Sequence, residues 1–188
     1  MNQYKATVVC PHCGKKENIR IQSLLDTSED PSLEEKVLSG ACFTHTCSRC
    51  HGTYPIVYSC MYHDSQRKLL ISLSENEKDL EEMRLRLNGR YHADRLDETL
   101  NGWLQNCHVR IVTGEYQMQE KILMAHFGLD DRIVEMGRYE LLKELQEQRN
   151  DIQDLLFNTD GENYVFLVLT DHGIDGSVPF TDEMYDSF

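Results

Sequence analysis

Four cysteines in two identically spaced pairs are the residues of this chain with the clearest chemical meaning. Cys10-Pro11-His12-Cys13-Gly14 and Cys47-Ser48-Arg49-Cys50-His51-Gly52 each separate two sulfurs by two residues, and 33 residues lie between the pairs. A CxxC turn sets both thiolates on one side of a tight loop. Two such loops face to face complete the sulfur tetrahedron that Zn²⁺ prefers, with Zn–S near ~2.3 Å. Pro11 fixes φ at the first turn position and Gly14 supplies the positive φ that follows the second ligand, so that backbone N–H groups can point at sulfur. Four thiolates on one Zn²⁺ leave a negative charge that such donors must spread. The second turn has His51 where glycine is expected. Either His51 takes the left-handed conformation, or the turn is one residue longer and Gly52 takes it. One CxxC could be a redox pair, whereas two, each followed by glycine within two residues, point to a structural metal site at Cys10, Cys13, Cys47 and Cys50. Sulfur tetrahedra accept iron as well as zinc.

Four thiolates close the coordination sphere, and catalytic zinc usually keeps three protein ligands and one open position. A rearranged site using His45, His51 or His12 in place of a cysteine is the catalytic alternative, since Cys42, His45 and Cys47 lie on the same expected strand. His45 shares a face with Cys47 only if the strand stays regular into the turn, and a surface or core histidine is the commoner outcome. Cys60-Met61-Tyr62-His63-Asp64 invites a nucleophile and a base, with Asp64 orienting the imidazole. Strand neighbours point to opposite faces, and no glycine-rich elbow or oxyanion donor accompanies them, so His63-Asp64 reads as the end of a strand before a turn at Ser65-Gln66. Cys107-His108 reads as a buried thiol beside an exposed ring. Asp130-Asp131 reads as favourable charge at a helix start, and Trp103 is equally consistent with core and with a contact anchor. No catalytic residue is assigned.

The elements that must position the cysteines follow from pattern. Tyr4 to Val9, Asn18 to Leu24, Ala41 to Thr46, Tyr54 to Tyr58 and Lys68 to Leu73 are rich in β-branched and aromatic residues, and a small antiparallel sheet carrying both turns is expected. The gap between the turns exceeds the usual ~15 to 20 residues of a simple ribbon. It holds a helix of its own: Asp30 suits the N-cap, Pro31 the first turn, Leu33, Val37 and Leu38 an apolar stripe, and Gly40 the left-handed stop.

These residues resemble the CpXC domain, a bacterial and archaeal family. The resemblance rests on the opening CPHCG, the insertion starting at Asp30-Pro31, the return CSRC, and the stretch from Tyr54-Pro55 through Tyr62-His63-Asp64 to Leu69-Leu70-Ile71. It covers roughly residues 4 to 135 and weakens after 75. It implies metal ligation at Cys10, Cys13, Cys47 and Cys50, and no chemistry beyond that.

The charge of −13 is uneven. Residues 1–73 carry 8 Lys+Arg against 7 Asp+Glu, and residues 74–188 carry 11 against 25. Two domains are therefore expected: a zinc-ribbon-like β module with a helical insertion over 1–73, and an acidic mixed domain over 74–188. In the second, Ser74-Glu75-Asn76-Glu77 has the form of a capping box ahead of Leu80, Met83 and Leu87, with a stop at Asn88-Gly89. Leu96, Leu100 and Leu104 suggest a helix over 91–105, which Gly102 weakens. A strand over 107–113, helices over 116–127 and 130–148, strands over 154–157, 164–170 and 177–180 around an Asp160-Gly161 turn, and a short helix from Thr181 complete an α+β fold.

Nucleic-acid binding would need Lys15, Lys16, Arg20, Arg49, Arg67 and Lys68 on one face, and the acidic half repels phosphate, so that partner is not expected. No apolar run approaches the ~18 residues of a membrane span. The opening Met1-Asn2-Gln3-Tyr4-Lys5 lacks the segments of a secretory signal, and seven cysteines suit reduced thiols rather than a disulfide framework, so a cytoplasmic setting is expected. The reading as a whole is a zinc-binding, non-enzymatic interaction or regulatory protein with a protein partner or self-association. An enzyme with a site between the two modules, and a nucleic-acid-binding ribbon, are the alternatives.

Overall fold

A computed structural model describes residues 3–87 and 97–188. The chain divides into two compact units, Met1–Gln119 and Glu120–Phe188. The class is α+β, with six helices and eleven strands among the described residues.

In the first unit, β1 (Gln3–Val9) and β2 (Lys16–Gln22) form an antiparallel hairpin whose last pair is Val9↔Lys16, which sets the first CxxC turn at its tip. Alternation along β2 turns Glu17, Ile19 and Ile21 inward and leaves Lys16, Asn18 and Arg20 exposed. β4 (Thr44–Thr46) and β5 (Thr53–Pro55) form a second hairpin closed by Thr46↔Thr53, with the second CxxC turn at its tip. The two turns are thus carried by two separate hairpins and not by the single antiparallel sheet expected. Residues 41–43, expected as strand, form a 3-10 turn entered through Gly40 at φ 74°.

A third sheet in this unit has the order β3-β6-β7-β8, from β3 (Leu24–Asp26), β6 (Cys60–Asp64), β7 (Leu69–Leu73) and β8 (His108–Val112). β3 and β6 pair in parallel, β6 and β7 antiparallel, and β7 and β8 in parallel. Parallel pairing goes with strands covered on both faces, and every residue of β7 is buried, Ser72 included. β8 completes the sheet from well beyond Leu73. The boundary expected after Leu73 therefore falls inside the first unit, and the division comes after Gln119.

Three helices accompany these sheets. α1 (Leu33–Leu38) buries Leu33 and Val37. It starts later than Asp30-Pro31, because the Asp30 carboxylate holds the Ser32 N–H, the Ser32 hydroxyl and Lys36 in a turn ahead of it. α2 (Glu77–Leu87) is capped by Asn76 and not by Ser74: Asn76 Oδ1 accepts the Asp79 N–H, and Asp79 Oδ2 accepts from Asn76 Nδ2, both at 3.0 Å. The expected stop at Asn88-Gly89 and the start of the helix expected over 91–105 lie outside the described residues. The remainder of that helix is α3 (Asp97–Asn106), and its Trp103 stacks on His63 of β6 with ring centroids 4.0 Å apart.

α4 (Glu115–His126) leads into the second unit, where α5 (Asp131–Gln148) precedes an antiparallel meander of β9 (Ile152–Thr159), β10 (Tyr164–Thr170) and β11 (Gly173–Pro179), followed by α6 (Asp182–Asp186). Asp130 caps α5 through the Arg132 N–H and Thr181 caps α6 through the Met184 N–H. The core joins Met124, Val134, Leu155, Phe157, Phe166, Val168 and Phe180. A buried pair, Glu120 on α4 and Arg138 on α5, also receives the Phe157 N–H at Glu120. Burial pushes the Glu120 carboxyl upward, against the pull of the Arg138 guanidinium.

Gly137 is buried on α5, and a Cβ there would meet Phe180 Cε2 at 2.5 Å. Helix propensity favours alanine over glycine by ~1 kcal/mol, but overpacking of a filled core costs ~1–3 kcal/mol. Gly137→Ala is expected to destabilise the second unit by up to about 2 kcal/mol in urea unfolding. A gain in stability would show that the Phe180 ring moves aside freely.

Candidate metal centre

The two CxxC turns repeat the same backbone bonds. The Cys10 N–H donates to Lys15 O and the Gly14 N–H to Cys10 O, each at 2.9 Å. The Cys47 N–H donates to Gly52 O at 3.0 Å and the His51 N–H to Cys47 O at 2.9 Å. Gly14 and His51 occupy the same place in the repeat, with φ of 71° and 58°. Of the two conformations open on the sequence, His51 takes the left-handed one. Gly52 is required for a different reason, since a Cβ there would lie 2.6 Å from Cδ2 of the His12 ring.

The hairpin tips bring the four sulfurs together. Cys10 Sγ lies 3.6 Å from Cys50 Sγ and Cys13 Sγ lies 3.7 Å from Cys47 Sγ. All four lie within 4.8 Å of one another, and among the described residues this is the one group able to hold a metal ion. Arms of ~2.3 Å in a tetrahedron put sulfurs ~3.8 Å apart, so the spacing fits a four-thiolate ion. Cys10 and Cys47 are buried with Tyr54, against Val8 and Ile56, while Cys50 faces solvent.

Electrostatics point the same way. Burial works to raise the Cys10 thiol, but the N–H groups of Cys13 and His12 and the sulfurs of Cys50 and Cys13 outweigh it and hold the thiol at about 6. At Cys47 the N–H of Cys50 acts downward, yet burial and the sulfurs of Cys13 and Cys10 carry it up to about 12. Cys50 is also raised, against the N–H of Gly52, by burial and the sulfurs of Cys10 and Cys13. One thiolate forms readily here and further ones repel it, a repulsion that a central divalent cation removes.

A residue that spacing did not single out links the hairpins. Glu17 of β2 accepts the Ser48 N–H at 3.3 Å and the Ser48 hydroxyl, with His45 Nε2 and Lys15 Nζ each at 3.3 Å. The Ser48 hydroxyl, with His45 and Lys15, holds the Glu17 carboxyl down at about 2. The available signal was its alternation: Glu17 shares the inward side of β2 with Ile19 and Ile21, an unusual place for a charge.

The other candidates do not join the sulfurs. His45 turns to Glu17 and lies edge-on to Tyr54 at 5.6 Å, and His12 packs on Gly52. Cys60 is buried, which pushes its thiol up to about 12. His63 is not oriented by Asp64. Its Nδ1 lies 3.2 Å from Asp26 Oδ1, whereas Asp64 Oδ1 accepts the N–H groups of Gln66 and Arg67 and forms the strand-ending turn. The Cys107 thiol is raised by burial. Asp130 serves as the cap of α5, and Asp131 pairs with Lys121 at 3.2 Å. Among the cations weighed for nucleic acid, Lys15 is engaged by Glu17 and Ser48, and Arg67 by Glu34 and Asp64.

In comparisons with known proteins, a family model described as CpXC protein matches residues 8–138. No curated protein and no solved structure matches the chain.

The geometry separates three substitutions. Glu17→Gln and Gly52→Ala are each expected to weaken zinc retention about tenfold against a chromophoric chelator, as is common for groups that orient metal ligands. His51→Gly, which relieves a left-handed side chain, is expected to retain zinc as well as the parent or better. Equal tolerance of Gly52→Ala and His51→Gly would refute the distinct roles given to these neighbours.

Proposed function

The chain belongs to the CpXC family, and we propose that it is a zinc-stabilised interaction or regulatory protein without catalytic activity, its ion held structurally by Cys10, Cys13, Cys47 and Cys50. The observation that carries this reading is the meeting of four sulfurs within 4.8 Å. A complete thiolate set leaves no position for water or substrate, so the ion supplies stability and not Lewis acidity. Zinc in place of iron is part of the proposal, as is a cytoplasmic setting, which suits seven free cysteines.

The proposed role is to bind a protein partner or a second copy. In its support, the second unit carries five Lys+Arg against sixteen Asp+Glu. Met136 and Tyr139 of α5 stand half or more exposed beside Phe188, the kind of large apolar side chain that protein interfaces use. Among the described residues no helix is long and apolar enough to cross a membrane.

Structural zinc in finger peptides contributes roughly 10–16 kcal/mol in apparent terms, while two-stranded hairpins are marginal alone. Metal analysis of the purified protein is expected to give one zinc per chain, lost in a Cys10→Ser, Cys13→Ser double variant. Strong chelation is expected to abolish amide-exchange protection in β1, β2, β4 and β5 while β9, β10 and β11 keep theirs. Retained protection in the chelated hairpins would defeat the structural role of the ion. A partner captured by the intact protein and released by the double variant would tie that role to binding.

A further inference from the structure

One face of the β3-β6-β7-β8 sheet buries polar side chains among its apolar ones. Strand pairing puts Asp26 beside His63 and Met61 beside Ser72, and alternation puts all four on the same side. Asp26 Oδ1 accepts the Ser28 N–H and hydroxyl and lies 3.2 Å from His63 Nδ1, so this carboxylate has its partners. Ser72 and the neighbouring Ser74 differ. They are only 5 % and 3 % exposed, and their hydroxyls have no hydrogen-bond partner among the described residues. Ser74 is not occupied as a helix cap, since Asn76 does that work, and both hydroxyls are reached only from the cavity they line.

Both serines line a cavity of about 410 Å³ within the first unit. Ser59 opens onto it too; its Oγ accepts the Glu75 N–H and its own O–H remains to donate. Asp79 of α2 contributes a carboxylate with one oxygen taken by Asn76, and Glu82, already engaged elsewhere, adds a second carboxylate to the lining. Met61, Met83 and Leu100 supply apolar wall, and no Lys, Arg or His is among the described lining residues. Unmatched hydroxyls, negative charge and an apolar wall together describe a site for a donor that carries positive charge and a hydrocarbon body.

We infer that this cavity binds a small organic cation, a primary ammonium group on an apolar chain. The ammonium donates to the Ser72 and Ser74 hydroxyls and the Asp79 carboxylate, and the chain lies on Met61, Met83 and Leu100. The site shares no residue with the cysteine cluster and does not depend on what the metal does.

The test uses the full chain with its metal in place, titrated with n-hexylamine, n-hexanol and hexanoate and followed by amide NMR. Hexylamine is expected to shift residues 59–61, 72–74, 79–83 and 100 saturably, and to bind at least about tenfold more tightly than hexanoate, as a charge-assisted contact would. Ser72→Val, which removes one acceptor and narrows the cavity, is expected to abolish the response. Asp79→Asn sits at a partly exposed position and serves if Ser72→Val does not fold; it is expected to weaken hexylamine about tenfold and leave hexanol unchanged. Equal binding of hexanoate, shifts confined to other residues, no saturation, or parent-like affinity in Asp79→Asn would each overturn the assignment.

Discussion

Two hairpin tips must be held together, because neither hairpin can bury enough to stand by itself. β1 is exposed at most of its positions, and β4 and β5 are three residues each. Two-stranded ribbons of this kind are marginal in water. What joins them is polar and local: four sulfurs within 4.8 Å and, beside them, a carboxylate from β2 that gathers Ser48, His45 and Lys15. In the function proposed, one tetrahedral ion holds both tips at once, and Glu17 links the second tip to the first. The close approach of Gly52 to His12 is a consequence of bringing two turns that near each other, whereas the left-handed His51 belongs to its own turn, as Gly14 does in the first.

The second unit is stabilised by different means. Its meander and α5 enclose Phe157, Phe166 and Phe180, whose rings meet edge-on or tilted at centroid distances of 5.1–6.5 Å. Such a core forms by apolar burial and needs no ion. The uneven composition of the chain reflects this difference, with the paired cysteines at one end and the acidic surface around an aromatic core at the other. The four-stranded sheet of the first unit stands between these extremes, since its central strands are buried on both faces yet carry serine, histidine and aspartate.

The elements legible in the sequence were those set by short-range rules. Gly128 stops α4 with φ of 72°, Asp130 caps α5 and Thr181 caps α6, each through interactions that span a few residues. The Asp160-Gly161 turn falls between β9 and β10, as its residue types require. Sequence and structure diverge where a distant strand or a competing neighbour decides the outcome. Ser74 and Asn76 both suit an N-cap, and Asn76 prevails because the Asp79 side chain lies within its reach. β8 joins the first unit because β7, buried on both faces, takes a parallel partner, and nothing within residues 1–73 announces it.

Residue type and spacing by themselves singled out the four cysteines that the structure brings within 4.8 Å, since two CxxC turns restrict four sulfurs to two loops whatever lies between them, a set suited to soft, tetrahedral metal binding. Tertiary structure alone decided which groups surround that set and which polar groups are buried elsewhere. Glu17 reaches Ser48 across 31 positions and Asp26 meets His63 across 37, and Ser72 and Ser74 open onto a cavity walled by α2. Such meetings follow from strand register and hairpin placement, which depend on the whole pattern of burial and leave no local mark on the residues they join.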